Sequence, residues 1–465
     1  MFSKKGWFFG RLFCSLLFLL IFFSTPYAAS ASTISFWSFE TQPARAKQTK
    51  AIIDRFTAKT GIEVKLILIS QESMGGIMAA NYAAGTMPDV VFMPVVLAGG
   101  WEADGILDAS AANTVIQTLG EGTFSRGALK MIAVKKGYSA VPSDGWGQLL
   151  VYRADLFKKF NLALPTDFDK IINAAKILEI KGYTGIMAGT DPGHPHTQSC
   201  FEHFALANGV RLLDDKGNIS LNTPQMVKAI EVYTQLMSKY GPKDTSTYYK
   251  QTRAAYMAGK AGMVLWSPFL LDELTGVIKT MLPNCPECGS DPAFIAKNSA
   301  FVPAFSGPDG TPAQFGKVNY MGITTGADKE AAIKFVTFWL NDGYLDWLGV
   351  GPEGKFPMRR GTRENPALFI NGWGQLGIGP DKQAKLSDFY SQDELNIIVK
   401  GADNLTLLGI AEGEIELVSS MYEELIFPRA IGDVMEKVLT PEQAAQKIQK
   451  EVVKLRDDLK KKAKK

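Results

Sequence analysis

All three histidines of this 465-residue chain lie in one short stretch, Asp191-Pro192-Gly193-His194-Pro195-His196-Thr197-Gln198-Ser199-Cys200-Phe201-Glu202-His203. A helix starting near Pro195 would set His196, Cys200 and His203 on one face, at spacings of four and three. Metal binding is the chemistry such a face would support, and the stretch is the most enzyme-like feature of the chain. No HExxH pattern accompanies it. The other reading is a polar helix start that lines a cleft, with Cys200 packed inward. Gly349-Val350-Gly351-Pro352-Glu353-Gly354-Lys355 matches the front of a phosphate loop. Phe356 then stands where Mg²⁺ binding needs Ser or Thr, and a helical pattern precedes the loop, so a helix-to-loop turn is expected. No GxSxG elbow is present. Paired carboxylates of the glycosidase kind have spatial, not sequential, spacing and leave no motif to read. The expectation is therefore no catalytic residue, no resident metal and no cofactor. A secreted glycoside hydrolase or metal-dependent enzyme using His194–His203 is the alternative.

A second set of residues suggests binding. Trp37, Trp101, Trp146, Trp266, Phe269, Tyr320 and Trp373 stand at loop-like or strand-end positions. Flat aromatic faces suit sugar rings, whose C–H faces are apolar while their hydroxyls need polar groups around the edge. Singly, each of these residues is more often core; several at strand ends favour a ligand cleft. Trp146 sits in Asp144-Gly145-Trp146-Gly147, which reads as a turn because Asp-Gly and a second glycine tolerate positive φ. The strand Leu149–Tyr152 follows, and then a short helix from Ala154.

The elements that must position these side chains begin with an alternating strand, 33–39. A helix spans 44–60 with apolar Ile52, Ile53 and Phe56 and a stop at Gly61. A strand at 62–69, a helix at 73–84 and a strand at 88–93 complete a β-α-β-α-β order, which implies a parallel sheet with helices on its faces. Ligands of such sheets sit beyond the carboxyl ends of the strands, which marks Trp37 to Gln42, Ser70 to Glu72 and Met93. Further helices are expected at 168–181, 197–208, 224–240, 248–259, 329–341, 380–400, 411–425 and 441–460. Strands are expected at 261–266, 299–304 and 319–324.

Length implies two or three compact units. With 46% hydrophobic and 21% charged residues the composition is that of an ordinary globular protein. Lys4, Lys5 and Arg11 precede the apolar run Leu12–Phe23, and Ala29-Ser30-Ala31 offers a cleavage site, the pattern of a secretory signal peptide. Cleavage near Ala31 removes three basic and no acidic side chains from a chain of formal charge +3, leaving a formally neutral product. Nothing there argues for nucleic acid as a partner. Export makes a disulfide between Cys285 and Cys288 plausible in the proline- and glycine-rich loop that holds them. One CxxC alone cannot complete a zinc ribbon, and a redox pair is the other alternative.

Several stretches, in this order and spacing, resemble the extracellular solute-binding proteins of ABC importers, in the carbohydrate-binding group that includes maltose-binding protein. They are Ile34-Ser35-Phe36-Trp37; Phe56-Thr57-Ala58-Lys59-Thr60-Gly61-Ile62-Glu63-Val64; Gly85-Thr86-Met87-Pro88-Asp89-Val90; Leu150 to Phe157; Ala258 to Met263; and Lys329 to Phe335. The resemblance implies an α/β, two-lobed periplasmic-binding-protein fold, each lobe a mainly parallel sheet flanked by helices, with a hinge and an interlobe cleft. It places lobe I at 32–141 and 302–350 and lobe II at 142–301 and 351–465. It implies a monomeric periplasmic receptor that takes a sugar, oligosaccharide or polyol to membrane permease subunits. A ligand-sensing partner of a signalling receptor would use the same fold. By position, Glu40, Gln42, Gln71 and Glu72 would bond ligand hydroxyls. Trp146, Trp266 and Phe269 would stack on ligand, with Thr197 and Tyr320 on the walls and Arg359 and Trp373 contributed from the last part of the chain; Trp37 and Met93, at the strand ends, complete the expected ligand-binding set. Met93 and Val96 stand where maltose-binding protein presents an aromatic and an acid, so the expected ligand is not maltose itself.

Overall fold

The computed structural model describes residues 32–410 and 412–462; the expected signal peptide lies outside them. Ten strands organise the chain: β1 (Thr33–Ser38), β2 (Glu63–Leu68), β3 (Val90–Pro94), β4 (Val141–Gly147), β5 (Leu149–Arg153), β6 (Met263–Trp266), β7 (Ser299–Val302), β8 (Gln314–Ile323), β9 (Phe356–Pro357) and β10 (Leu405–Thr406). The larger sheet runs β9-β4-β8-β3-β1-β2, with β10 beside β8, and the smaller runs β6-β5-β7. The fold is α/β and two-lobed, one lobe on each sheet.

The first sheet forms as its pattern requires. β1 pairs in parallel with β2 and β3, and its inward residues Ile34 and Phe36 are buried. Helix α1 (Pro43–Thr60) covers it through Ile52, Ile53 and Phe56 and ends at Gly61, whose φ of 73° suits a residue without Cβ. Burying side chains of this size contributes about 1.5–3 kcal/mol each. Asp89 ties the strand ends together: its carboxylate accepts from Ser35 N at 2.7 Å, Ser35 Oγ at 2.9 Å and Asp328 N at 2.7 Å. Asp328 in turn caps helix α2 (Lys329–Leu340), whose Phe335 and Trp339 pack edge-on against Phe36 at 5.2 and 5.5 Å.

Three local expectations change. Asp144-Gly145-Trp146-Gly147 is not a turn but the end of β4, paired antiparallel with β8. Its glycines serve close approach: a Cβ on Gly145 would meet Lys317 O at 2.5 Å, and one on Gly147 would meet Gln314 Nε2 at 2.3 Å. Residues 380–400 are not one helix. They hold the second strand of a hairpin pairing Gly377–Ile378 with Ala384–Lys385, then a helix, Gln392–Gly401, that starts at the capping box of Ser391 and Glu394. The smaller sheet is antiparallel in its named strands, where parallel pairing is expected; parallel contact remains as single bridges from Asp167, Thr184 and Met187 to Ser306, Ala261 and Val264. Gly349–Lys355 is the helix-to-loop turn expected, Tyr344–Leu348 followed by a 3₁₀ turn at Pro352–Gly354.

Candidate ligand-binding site

β4 ends at Gly147 and β5 begins at Leu149, so Gln148 alone carries the chain from one sheet to the other. The return crossing, 303–313, meets it there. Gln148 N donates to Phe315 O at 2.7 Å, and Gln314 Nε2 donates to Gln148 O at 3.0 Å. The Gln148 side-chain amide spans Cys200 Sγ at 3.7 Å and His203 Nδ1 at 3.2 Å. Both hydrogen-bonding ends of this buried residue are therefore used to fix the crossing.

A cavity of about 500 Å³ opens beside it. Trp146, at the end of β4, and Trp266, at the end of β6, supply its half-buried indoles, and Phe269 stands 42% exposed at the rim. Helix α3 (Pro195–Ala207), with Pro195 in its first turn, presents His194, His196 and Ser199. Helix α4 (Tyr249–Met257) presents Tyr249 and, one turn on, Arg253. Tyr249 stacks on Trp266 at 5.6 Å, and His196 meets the same indole edge-on at 4.5 Å. Two wider surface hollows, of about 690 and 650 Å³, have no aromatic side chain in their walls. The interlobe cavity alone among these three joins flat apolar faces to a few polar groups, the usual composition of a small-molecule site.

Its charges are few. Arg253 pairs with Glu273 at 2.6 Å. Burial raises the Glu273 pKa to about 7, against the pull of Arg253. Neighbouring Asp272 also reaches about 7, through burial first and then the nearby Glu353 and Glu273. Burial, helped by His194, lowers His196 to about 3, so its ring is neutral at physiological pH.

The three histidines do not converge on one point. The helix does start at Pro195, and His196 lies 3.6–3.7 Å from Cys200 Sγ. His203, however, is turned into the hinge, where its Nε2 lies 2.9 Å from Ala313 O. Burial pushes the Cys200 thiol up to about 12, so at physiological pH it is a protonated thiol and not a nucleophile. Among the described residues no group of three or more His, Cys, Asp or Glu is arranged to hold a metal.

The residues singled out from the sequence divide sharply. Trp146, Trp266 and Phe269 meet at the cavity. Gln42, Gln71 and Glu72 are exposed at the starts of two helices, outside its walls. Trp37, Met93, Thr197, Tyr320, Arg359 and Trp373 are buried. Tyr320 Oη donates to Ala128 O at 2.8 Å, Thr197 Oγ1 to Asp191 O at 2.7 Å, and Trp373 Nε1 to Pro352 O at 2.9 Å. Arg359 spends its guanidinium on Leu340 O at 2.7 Å and Leu119 O at 3.2 Å. Glu40 is 4% exposed and holds Lys355 at 2.6 Å and Arg45 at 2.5 Å. Cys285 and Cys288 are joined by a disulfide. His194, Tyr249, Arg253, Glu273, Lys317 and Tyr422 line the cavity without having been singled out as ligand-binding residues. His194 belongs to the stretch that reads as a polar helix start lining a cleft, and the spacing of Tyr249 and Arg253 on a helix offered a signal for two more.

Residues 41–345 match the family described as bacterial extracellular solute-binding protein. A relative from Escherichia coli strain K12, YcjN, whose name assigns it to the ABC transporter periplasmic-binding proteins, is 28% identical over 338 residues, covering 70% of this chain and 73% of its own. Among solved structures, maltose-bound MalE3 of T. maritima superposes with a TM-score of 0.58 at 21% identity, over 91% of this chain and 99% of the other. The cyclic alpha-maltosyl-1,6-maltose binding protein of Arthrobacter globiformis gives 0.64 at 14% identity, over 91% and 99%. A ribitol-bound solute-binding protein of Agrobacterium radiobacter K84 gives 0.56 at 21%, over 91% and 98%. The chain belongs to the bacterial extracellular solute-binding proteins, an exported family of two-lobed receptors.

Proposed function

We propose that this protein is a periplasmic receptor that captures a sugar, oligosaccharide or polyol between its lobes and delivers it to the permease subunits of an ABC importer, without catalysis. The observation that carries this reading is the cavity at the Gln148 crossing, walled by Trp146, Trp266 and Tyr249. Ligand held at a crossing touches both lobes, so its binding energy favours their closure, and the closed form is the one a permease would distinguish. The E. coli relative supports the transport role, and the maltose, cyclic maltosyl-maltose and ribitol receptors of the same fold support the ligand class. In this reading the signal peptide is cleaved near Ala31 and the mature monomer is released to the periplasm.

The lobe limits follow the sheets. The first lobe takes 32–147 and about 314–357, which carry the strands of the larger sheet apart from β10. The second takes 149–313 and most of the C-terminal helices, and the third crossing lies beyond Arg360, since Ser125 N donates to Met358 O and Arg360 N to Thr123 O.

Native mass spectrometry of the gently purified mature protein, followed by tryptophan-fluorescence titration with a sugar and polyol panel, tests the reading. A co-purifying saccharide mass, or a saturable fluorescence change with one panel member, is the expected result. A metal-sized mass, or turnover of a glycoside, would overturn it.

A further inference from the structure

We propose that the ligand is an acidic saccharide and that Lys317 binds its carboxylate. The inference rests on the saccharide-receptor reading and narrows it. Three ionic side chains line the cavity, Arg253, Glu273 and Lys317. The first two satisfy each other at 2.6 Å. Lys317 pairs with no carboxylate within 4.0 Å among the described residues; its ammonium stands over the Tyr422 ring, 5.5 Å from the centroid. Glu202, whose charge acts on Lys317 without pairing with it, is fully buried and already committed, accepting from Tyr422 Oη at 2.7 Å and Leu408 N at 3.0 Å.

Position turns this open cation into a specificity element. Lys317 lies directly across the β4–β8 pair from Trp146, so the two side chains project from the same face as neighbours. A pyranose stacked on Trp146 would bring a carboxylate attached to its ring within reach of the ammonium. The chain shows what it does with a lysine it closes off by itself: Lys355, 5% exposed, is held by Glu40 at 2.6 Å and Asp144 at 3.1 Å. Lys317 has no such arrangement: it is exposed in the cleft, and closure of the lobes over a ligand would strip its water. A desolvated ammonium needs a counter-charge, and a neutral sugar supplies none. A uronate or aldonate does.

The test is tryptophan-fluorescence titration of the mature protein with uronic- and aldonic-acid mono- and oligosaccharides, each beside its neutral twin of the same linkage, for the wild type and for Lys317→Gln. The expected result is one acidic ligand preferred at least tenfold over its twin, weakening as salt rises, with the preference abolished in Lys317→Gln. Equal binding of both twins, binding of neutral sugars alone, or an acid preference that survives Lys317→Gln overturns the assignment and leaves the saccharide reading intact. Binding of no saccharide by a folded wild type overturns both.

Discussion

His203 Nε2 lies 2.9 Å from the carbonyl oxygen of Ala313, the last residue before the chain re-enters the larger sheet. A carbonyl only accepts, so the ring nitrogen donates, and α3 of the second lobe is bonded to the returning crossing. The His203 ring is fully buried, stacked on Phe305 at 4.4 Å, and its other nitrogen faces Gln148. One imidazole therefore touches both crossings, and its burial requires the neutral form at ordinary pH.

That requirement predicts a pH dependence of stability. Burial lowers His203, like His196, to about 3 from an ordinary 6.5. The stabilisation tied to these neutral rings is complete above 6.5 and is lost as pH falls toward 3. Every tenfold difference in proton affinity between the folded and unfolded chain is worth about 1.4 kcal/mol. Three buried carboxyls act in the opposite sense, Glu202 raised to about 6 and Asp272 and Glu273 to about 7, gaining stability as pH falls from 7 to about 4.5. The two rings offset Asp272 and Glu273 between 6.5 and 6, and from 6 to 4.5 Glu202 leaves a small net gain as pH falls. Chemical denaturation across pH should show a shallow rise toward 4.5 and a steep loss below it. His203→Gln should be less stable at neutral pH and show a shallower acid limb; an equally steep limb would remove His203 from the account.

A second prediction concerns Lys355. Its ammonium lies over the Trp347 ring at 4.4 Å and bridges Glu40 and Asp144. Burial works to raise the Glu40 carboxyl, but Lys355 and Arg45 outweigh it and hold the group below its ordinary value. Removing the cation strands two buried acids, for which about 3–5 kcal/mol is typical. The lower end applies here, because Asp144 keeps Trp347 Nε1 at 2.7 Å and Asn319 at 3.0 Å, and Glu40 keeps Arg45. Lys355→Met should therefore lose about 3 kcal/mol at pH 7 in denaturant unfolding. The deficit should shrink below about pH 4, because the stability that a lowered Glu40 supplies is present above its unfolded pKa and disappears as it protonates. A deficit independent of pH would mean lost packing, not lost charge.

Much of the fold was legible because its signals are local. The β1-α1-β2 alternation and Gly61 as a helix stop each follow from residues adjacent in sequence. Gly145 and Gly147 misled because the same residue serves positive φ and close packing, and the strand that crowds them, β8, lies about 170 residues away. The candidate site was legible only in its aromatics. Tyr320 and Trp373 are of the same type as Trp146 but lie inside, for burial depends on which strand stands opposite. Glu40 reads as a free ligand donor until Lys355, 315 residues away, is brought against it. Lys317 carries no sequence signal at all, since its meaning comes from an absent partner.

The last prediction separates the two indoles. Trp146 is held by Phe315 at 5.9 Å and is only half-buried, so its removal leaves little cavity in the core. Trp266 is held by two rings, Tyr249 stacked at 5.6 Å and His196 edge-on at 4.5 Å, and is the more rigid platform. Aromatic anchors of this kind typically cost about 2 kcal/mol or more when truncated, about thirtyfold in affinity. Trp146→Ala and Trp266→Ala should each weaken binding of the cognate ligand by tenfold or more. Midpoints of unfolding should stay close to wild type for Trp146→Ala and fall modestly for Trp266→Ala, which unpacks His196. Isothermal titration with the ligand found by mass spectrometry reads the first effect and denaturant unfolding the second. Unchanged affinity in both variants would move the ligand away from this wall of the cleft.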